Sequence, residues 1–348
     1  MKTIRVGIVG LGANTRLRHV PGLRACDSVE IVSVCNRRPE STQQAAGEYG
    51  IPRTFDTWQE LVNDDDIDAV VIGTWPYLHC EITIAALQAG KHVLVEARMA
   101  RDANEARRMF EASQKNTELV TQIVPSPFGL EVHRVVQELI QDGYVGELRE
   151  VVVLGCNNSL MDPTTPLHWR QSKELSGLNM LAMGILHETL VRWVPDPVRV
   201  LAQTQIYTSK RTDASTGDSV DVSTPDSVHV LTELPGGARG IYHLSGAMHH
   251  APPMQIRIFG SEGTLHCVCN PDDQLLGARA GDSELREISV PAEKQGSWRV
   301  EEEFIDAIRG NGVIEFTDFA TGVRYMEFTE AVARSAEVGQ AVQLPTGP

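Results

Sequence analysis

The chain has 348 residues, of which 42% are hydrophobic, and carries a formal charge of -15 at pH 7 with a pI near 5.2. That length points to two domains, and the hydrophobic fraction is ample for a core in each. The acidic balance disfavours nucleic acid and anionic membrane as partners and leaves small molecules as the expected ligands.

Met1-Lys2-Thr3 leads directly into an apolar strand pattern. No apolar run approaches the roughly 20 residues needed to span a bilayer. A cytoplasmic protein with neither signal peptide nor membrane helix is therefore expected. Apolar, β-rich runs at Ile4 to Val9, Val29 to Val34, Ala69 to Ile72, Val93 to Val95 and Leu119 to Val124 predict strands. They alternate with helical patterns at Arg16 to Cys26, Ser41 to Tyr49, Trp58 to Val62, Cys80 to Ala89 and Ala103 to Lys115. Such alternation predicts a doubly wound parallel sheet. It stops at Pro125-Ser126-Pro127, because two prolines in three residues continue neither a central strand nor a helix interior.

The expected division is thus a first domain over residues 1–124 and a second over 125–348. In the second, a helix over Glu131 to Asp142 is closed by Gly143. Strand patterns follow at Leu148 to Cys156, Val198 to Tyr207, Ser227 to Leu234, Ala238 to Leu244, Gln255 to Phe259 and Thr264 to Cys269, with Pro235-Gly236-Gly237 as a hairpin turn. Strands in this order without intervening helices predict an α+β domain with a mostly antiparallel open sheet. Two last helices, Val300 to Arg309 and Ala320 to Val338, close the chain.

The segment Val6-Gly7-Ile8-Val9-Gly10-Leu11-Gly12-Ala13-Asn14-Thr15 follows a strand and opens a helix, the context in which a glycine turn binds a dinucleotide. Gly10 permits the sharp turn, Gly12 permits backbone to approach a pyrophosphate, and the helix directs its first amides at that anion. Thr15 stands at the third small position. At the end of the second strand an acidic residue would bind the ribose 2′-hydroxyl. This chain instead reads Asn36-Arg37-Arg38, a neutral amide and two cations suited to a 2′-phosphate, which favours NADP over NAD. The six cysteines are scattered except Cys267 and Cys269, whose spacing puts both on one strand face; reduced core residues are expected. Adjacent His249 and His250 point to opposite faces of extended chain, so no metal site is expected there.

The glycine turn, Thr74-Trp75-Pro76-Tyr77-Leu78-His79, the run Ala86 to Glu96, Gly143-Tyr144-Val145-Gly146-Glu147 and Phe259 to Thr264 together resemble the Gfo/Idh/MocA oxidoreductase family over nearly the whole chain. The resemblance implies a Rossmann domain followed by an α+β domain whose open sheet often makes oligomer contacts, hence a homodimer or homotetramer. It implies substrates that are sugars, cyclitols or related polyols. It also implies that Thr74, Trp75, Pro76, His79 and Glu96 lie beside the cofactor, with Tyr77 either stacked near the nicotinamide or filling space.

Three departures stand out. The family's Glu-Lys-Pro reads Glu96-Ala97-Arg98 here, and its Asp-x-Gly-x-His aligns with Ala182 and Leu186 around Gly184. Alanine and leucine handle no proton. The nearest titratable groups are His187 and Glu188, expected either to act as general acid or base or to pack in the core and pair with Arg192. Arg98 is a candidate for binding a substrate carboxylate or polarising a carbonyl oxygen, or else pairs with a carboxylate of the following helix. His168, Trp169 and Arg170 are candidates for lining the substrate pocket, with loop packing or a surface ion pair as the alternative. The leading expectation is hydride transfer between NADP and a secondary alcohol or carbonyl. A bound cofactor serving elimination or hydrolysis without net redox change, and a non-catalytic dinucleotide- or sugar-binding protein, are the alternatives.

Overall fold

The computed structural model describes residues 2–269 and 273–345. They fall into two compact units: Met1–Pro125 with Arg299–Val323, and Ser126–Trp298 with Arg324–Pro348.

The first unit is built on six strands: β1 (Ile4–Val9), β2 (Val29–Cys35), β3 (Arg53–Thr54), β4 (Ala69–Ile72), β5 (His92–Val95) and β6 (Thr121–Ile123). They run parallel in the order β3-β2-β1-β4-β5-β6. Every residue of β4 is buried, as expected of a parallel strand covered on both faces. Its helices are α1 (Val20–Ala25), α2 (Pro39–Tyr49), α3 (Trp58–Val62), α4 (Pro76–Gln88) and α5 (Ala103–Gln114). Local chemistry sets their ends. Thr57 and Glu60 form a reciprocal capping box at α3. Asp102 accepts the Glu105 amide at α5, and Gly50 closes α2 in the left-handed region. Pro76 starts α4 one turn before the expected Cys80, because a first-turn proline loses no intrahelical bond.

The expected helix over Arg16 to Cys26 contains a π turn, Thr15–His19, leading into α1. The Val20 amide donates to Thr15 O, five residues back, and Pro21 has no N–H to restore the α pattern.

The second unit holds α6 (His133–Gln141), α7 (Lys173–Ser176) and α8 (Met183–Leu190). Its nine-stranded sheet is built from β7 (Leu148–Cys156), β8 (Arg199–Gln205), β11 (Ser227–Glu233), β12 (Arg239–Ser245), β13 (Gln255–Gly260), β14 (Gly263–Cys269), β15 (Asp273–Arg279), β16 (Arg286–Glu287) and β17 (Val342–Gln343), with β9 (Lys210–Thr212) and β10 (Ser219–Asp221) as a separate ribbon. All pairings in this sheet are antiparallel except β12 with β7. Strands β11 and β12 alternate between a buried face (Val228, Val230, Tyr242, Leu244) and an exposed one (His229, Leu231, Ile241). The buried face packs with Val135, Val136, Met183, Leu186, Leu190 and, from the last helix, Phe328 and Val332.

The remaining helices are α9 (Val300–Ile308) and α10 (Phe319–Val338). Residues 299–323, which the sequence places in the second domain, pack with the first unit. The reason is the edge strand β6. Ile123 donates its amide to Thr317 O and accepts that of Thr317, while Gln122 Nε2 donates to Phe316 O and to Glu303 Oε2, both at 2.6 Å. A bare strand edge is covered, and the proline-marked break near residue 125 is only one of the crossings.

Candidate cofactor and active site

The first unit presents a turn built for close backbone approach. Gly10 has φ +87°, and a Cβ there would lie 2.7 Å from Thr74 N. A Cβ at Gly73 would lie 2.2 Å from Thr15 Oγ1, which itself donates to Gly10 O at 3.2 Å. Gly12 has nothing nearer than Gly73 O at 3.5 Å from a Cβ position, so backbone is open to a ligand at that point. The Leu11 amide is taken by Asn36 Oδ1 at 2.7 Å and the Arg16 amide by Gly12 O, whereas the amides of Ala13, Asn14 and Thr15 find no acceptor among the described residues. A glycine-only wall beside donating amides fits a pyrophosphate.

Asn36 has its own task. Besides Leu11 it engages Ser41 O through Nδ2 and Thr42 Oγ1 through its amide, so it locks the turn to the start of α2. The adjoining Arg37 and Arg38 are exposed.

Next to the turn lies a buried charged cluster. The π turn points His19 inward, and its side chain is wholly inaccessible. His19 Nδ1 lies 2.5 Å from Glu301 Oε1 on α9, and Nε2 lies 3.0 Å from Glu96 Oε1 at the end of β5. Glu96 also accepts from Asn14 Nδ2 at 2.5 Å and, through Oε2, from the Ala97 amide at 3.1 Å. Burial would push the His19 pKa down, but the hydrogen bonds and charges of Glu301 and Glu96 outweigh it and raise the pKa to about 9. Glu96 moves the other way: burial opposes ionisation, yet His19 and Asn14 hold its pKa below the ordinary carboxylate value. The result is an imidazolium between two carboxylates. Glu96 keeps 14% of its side chain accessible, whereas the His19 side chain keeps none.

His79 ties the neighbouring segments together. Its Nδ1 faces the carbonyls of Arg98 and Met99, its Nε2 faces Thr74 O, and burial pushes its pKa down. It fixes the loop of Thr74, Trp75 and Pro76 against Arg98 and Met99 instead of standing free. Tyr77 is half-buried and Arg98 is buried. Ala97 leaves this segment without an ammonium group.

In the second unit the two candidates for proton transfer turn inward. His187 is fully buried, stacked on Phe328 with ring centroids 3.7 Å apart, and its Nδ1 meets Tyr242 Oη at 2.8 Å. Burial, with Arg324 nearby, lowers its pKa to about 3. It is a core histidine that burial keeps neutral, with no accessible side-chain surface. Glu188 accepts Arg192 Nε at 3.0 Å and its terminal nitrogen at 2.7 Å, and also takes the Ser126 amide at 2.9 Å. That carboxylate is paired with Arg192 and anchors the unit's entry segment to α8. Leu186 is buried against Gly155, so the position expected to hold a catalytic histidine is apolar core.

His168, Trp169 and Arg170 occupy a short turn. The His168 ring accepts the Arg170 amide, and the Arg170 guanidinium lies 4.2 Å from the Trp169 ring centroid. His168 and Arg170 are exposed. Sequence reasoning missed Arg211, which is buried and donates to Leu160 O, Asp162 O and Thr165 O, shaping the preceding loop. It also missed His19 and Glu301. Glu301 sits in the acidic run Glu301-Glu302-Glu303, which reads as a solvated face, and only the π turn aims His19 at it.

Cys267 and Cys269 are buried with Sγ atoms 3.7 Å apart; Asp273 approaches both, but gives one oxygen to the Gly129 amide and the other to Glu131. His249 and His250 are not among the groups of potential metal donors found in the described residues.

Comparison with known proteins agrees with this construction. Residues 4–123 match the profile of an oxidoreductase family with an NAD-binding Rossmann fold, and residues 133–266 match the GFO/IDH/MocA C-terminal domain. Levoglucosan dehydrogenase of Pseudarthrobacter phenanthrenivorans is 29% identical over 148 residues, 42% of this chain and 38% of its own length. An uncharacterized oxidoreductase of Rhizobium meliloti is 24% identical over 97% of this chain and 98% of its own. Among solved structures, levoglucosan dehydrogenase in complex with NADH and L-sorbose superimposes with a TM-score of 0.87 at 22% identity, covering 99% of both chains, a likeness of fold.

Proposed function

Given that this chain belongs to the Gfo/Idh/MocA family of oxidoreductases, we propose that it moves hydride between NADP and a secondary alcohol or carbonyl of a sugar, cyclitol or related polyol. The dinucleotide supplies or accepts the hydride when bound. The glycine turn with Arg37 and Arg38 at the end of β2 is the observation that carries the reading. Arg37 and Arg38 are exposed and supply two cations suited to a 2′-phosphate, and Asn36, engaged with the turn, offers no carboxylate to repel it. Glu96, Thr74, Trp75 and Pro76 flank the nicotinamide end. We propose Arg98 as a group that polarises a substrate oxygen, and His168, Trp169 and Arg170 as substrate contacts.

The substrate class is supported by named relatives, among them inositol 2-dehydrogenase of Salmonella typhimurium, 33% identical over 35% of this chain. The open sheet face supports a homodimer or homotetramer. Leu201, Leu231 and Ile241 stand in register across β8, β11 and β12 and are 41%, 54% and 45% exposed. A cytoplasmic location accords with the described residues, where no helix is long and apolar enough to cross a membrane.

A second reading has its own support. With Ala97, Ala182 and Leu186 at the family's proton-handling positions, and His187 and Glu188 turned inward, the cofactor could serve a reaction without net redox change. Assay of NADPH and NADH against keto-sugars, sugar acids and polyols separates these readings. Stoichiometric loss or gain of reduced cofactor supports the first; product without such change supports the second. Arg37→Ala with Arg38→Ala should weaken NADPH binding by about tenfold or more, and leave NADH unaffected. A wild-type preference for NADH overturns the NADP assignment.

A further inference from the structure

We propose that His19 is a positioning residue of the dinucleotide site, supplying from beneath the glycine turn the positive charge that the chain lacks at Ala97. The inference rests on the dinucleotide reading given above, and on geometry within the first unit. Asn14, two residues after Gly12, holds Glu96 Oε1 at 2.5 Å, so this carboxylate is tied to the turn that would face a pyrophosphate. An ionised carboxylate there repels an anionic ligand unless a cation offsets it. A lysine beside Glu96 would do so, and position 97 holds alanine. His19 Nε2, 3.0 Å from the same oxygen, is the nearest cationic group shown to bond Glu96, and Glu301 at 2.5 Å from Nδ1 keeps the ring oriented.

The ionisable groups that set the His19 charge come from two other elements, Glu96 after β5 and Glu301 on α9. Together they stabilise the protonated ring, whose pKa is raised to about 9. Below that value the Glu96 charge is neutralised locally. Above it two buried carboxylates face a neutral ring, and affinity for a polyanionic dinucleotide falls. His19 touches no reacting atom in this scheme; it acts through Glu96.

The test is fluorescence titration of the full-length protein with NADPH and with NADH from about pH 6 to about pH 10, alongside thermal melts at each pH. The wild type should lose affinity through about pH 9. His19→Gln, which keeps a neutral donor, should bind about tenfold more weakly at neutral pH and lack the alkaline step. Glu301→Gln should move that step to lower pH, because removing a carboxylate lowers the ring's pKa. If His19→Gln does not fold, the Glu301→Gln shift decides the matter.

A His19→Gln protein that melts earlier yet keeps the wild-type dissociation constant and alkaline step shows a structural role and overturns the proposal. An unshifted step in Glu301→Gln does the same. A wild type that binds neither dinucleotide at any pH defeats the cofactor reading itself, and this inference with it.

Discussion

Two completely buried histidines, His19 in the first unit and His187 in the second, take opposite charge states. His19 sits between Glu96 and Glu301 and is protonated at neutral pH, with its pKa raised to about 9. His187 sits against Phe328 and Tyr242 and is neutral, with its pKa lowered to about 3. Burial disfavours the charged ring in both places. What differs is the partner set: two carboxylates within hydrogen-bond distance overcome the desolvation cost, while a phenol and a stacked ring do not. Asp196, the carboxylate nearest to His187 Nε2, lies 3.7 Å away and is engaged by Arg324 at 3.2 Å.

Removing the two rings should break this contrast unequally. His19→Ala strands Glu96 and Glu301 without their shared cation, and chemical denaturation should show a loss of about 3–5 kcal/mol, the usual cost of breaking a buried ion pair from one side. A result near zero would mean that the cluster is not charged as described.

The pH dependence of stability should be two-sided. Because the folded-state pKa of His19 is raised above the unfolded value of 6.5, its contribution is fully present below that value and is lost as pH rises through about 9. His187 has the reverse sign. Its folded pKa is depressed to about 3, so the unfolded chain takes up a proton first, and stability is lost as pH falls from about 6.5 toward 3. The alkaline limb is worth about 3 kcal/mol and the acid limb about 5 kcal/mol, from one pKa unit being about 1.4 kcal/mol. Denaturation midpoints of His19→Gln and His187→Gln across pH should flatten the alkaline and the acid limb respectively; flattening of the wrong limb would reverse the assignment.

A smaller effect is expected from His187→Phe. The stack on Phe328 persists while Tyr242 loses its partner, costing about 1–3 kcal/mol, and turnover with the best substrate should stay within about twofold of wild type. A collapse of kcat would return His187 to the chemistry. The smallest change serves as the reference: Thr57→Ala removes the capping box of α3 and should cost about 1 kcal/mol in thermal melts without altering either pH limb.

Much of this architecture is legible in the pattern of residues alone. The strands Ile4–Val9, Ala69–Ile72 and Leu148–Cys156 begin and end where their apolar patterns do. Gly10 and Gly12 mark a backbone turn whose crowding against Gly73 and Thr74 bears out the need for glycine at position 10. The short strands β9, β10 and β16 escape such reading, since strands of two or three mostly polar residues carry no period to detect. At the site, His187 stands beside the position expected for a family histidine, and only the direction of its ring shows that adjacency along a helix is not adjacency to a ligand.

By itself, then, the sequence determined the parallel sheet, the glycine turn and the loss of a lysine at Ala97, because these are properties of local pattern and residue identity. Only tertiary structure decided which buried groups are charged. Glu301 lies 282 residues from His19 along the chain, and a pKa depends on which dipoles and charges arrive within a few ångströms after folding. No periodicity records that meeting. The π turn that aims His19 and the edge strand that draws α9 into the first unit bring it about.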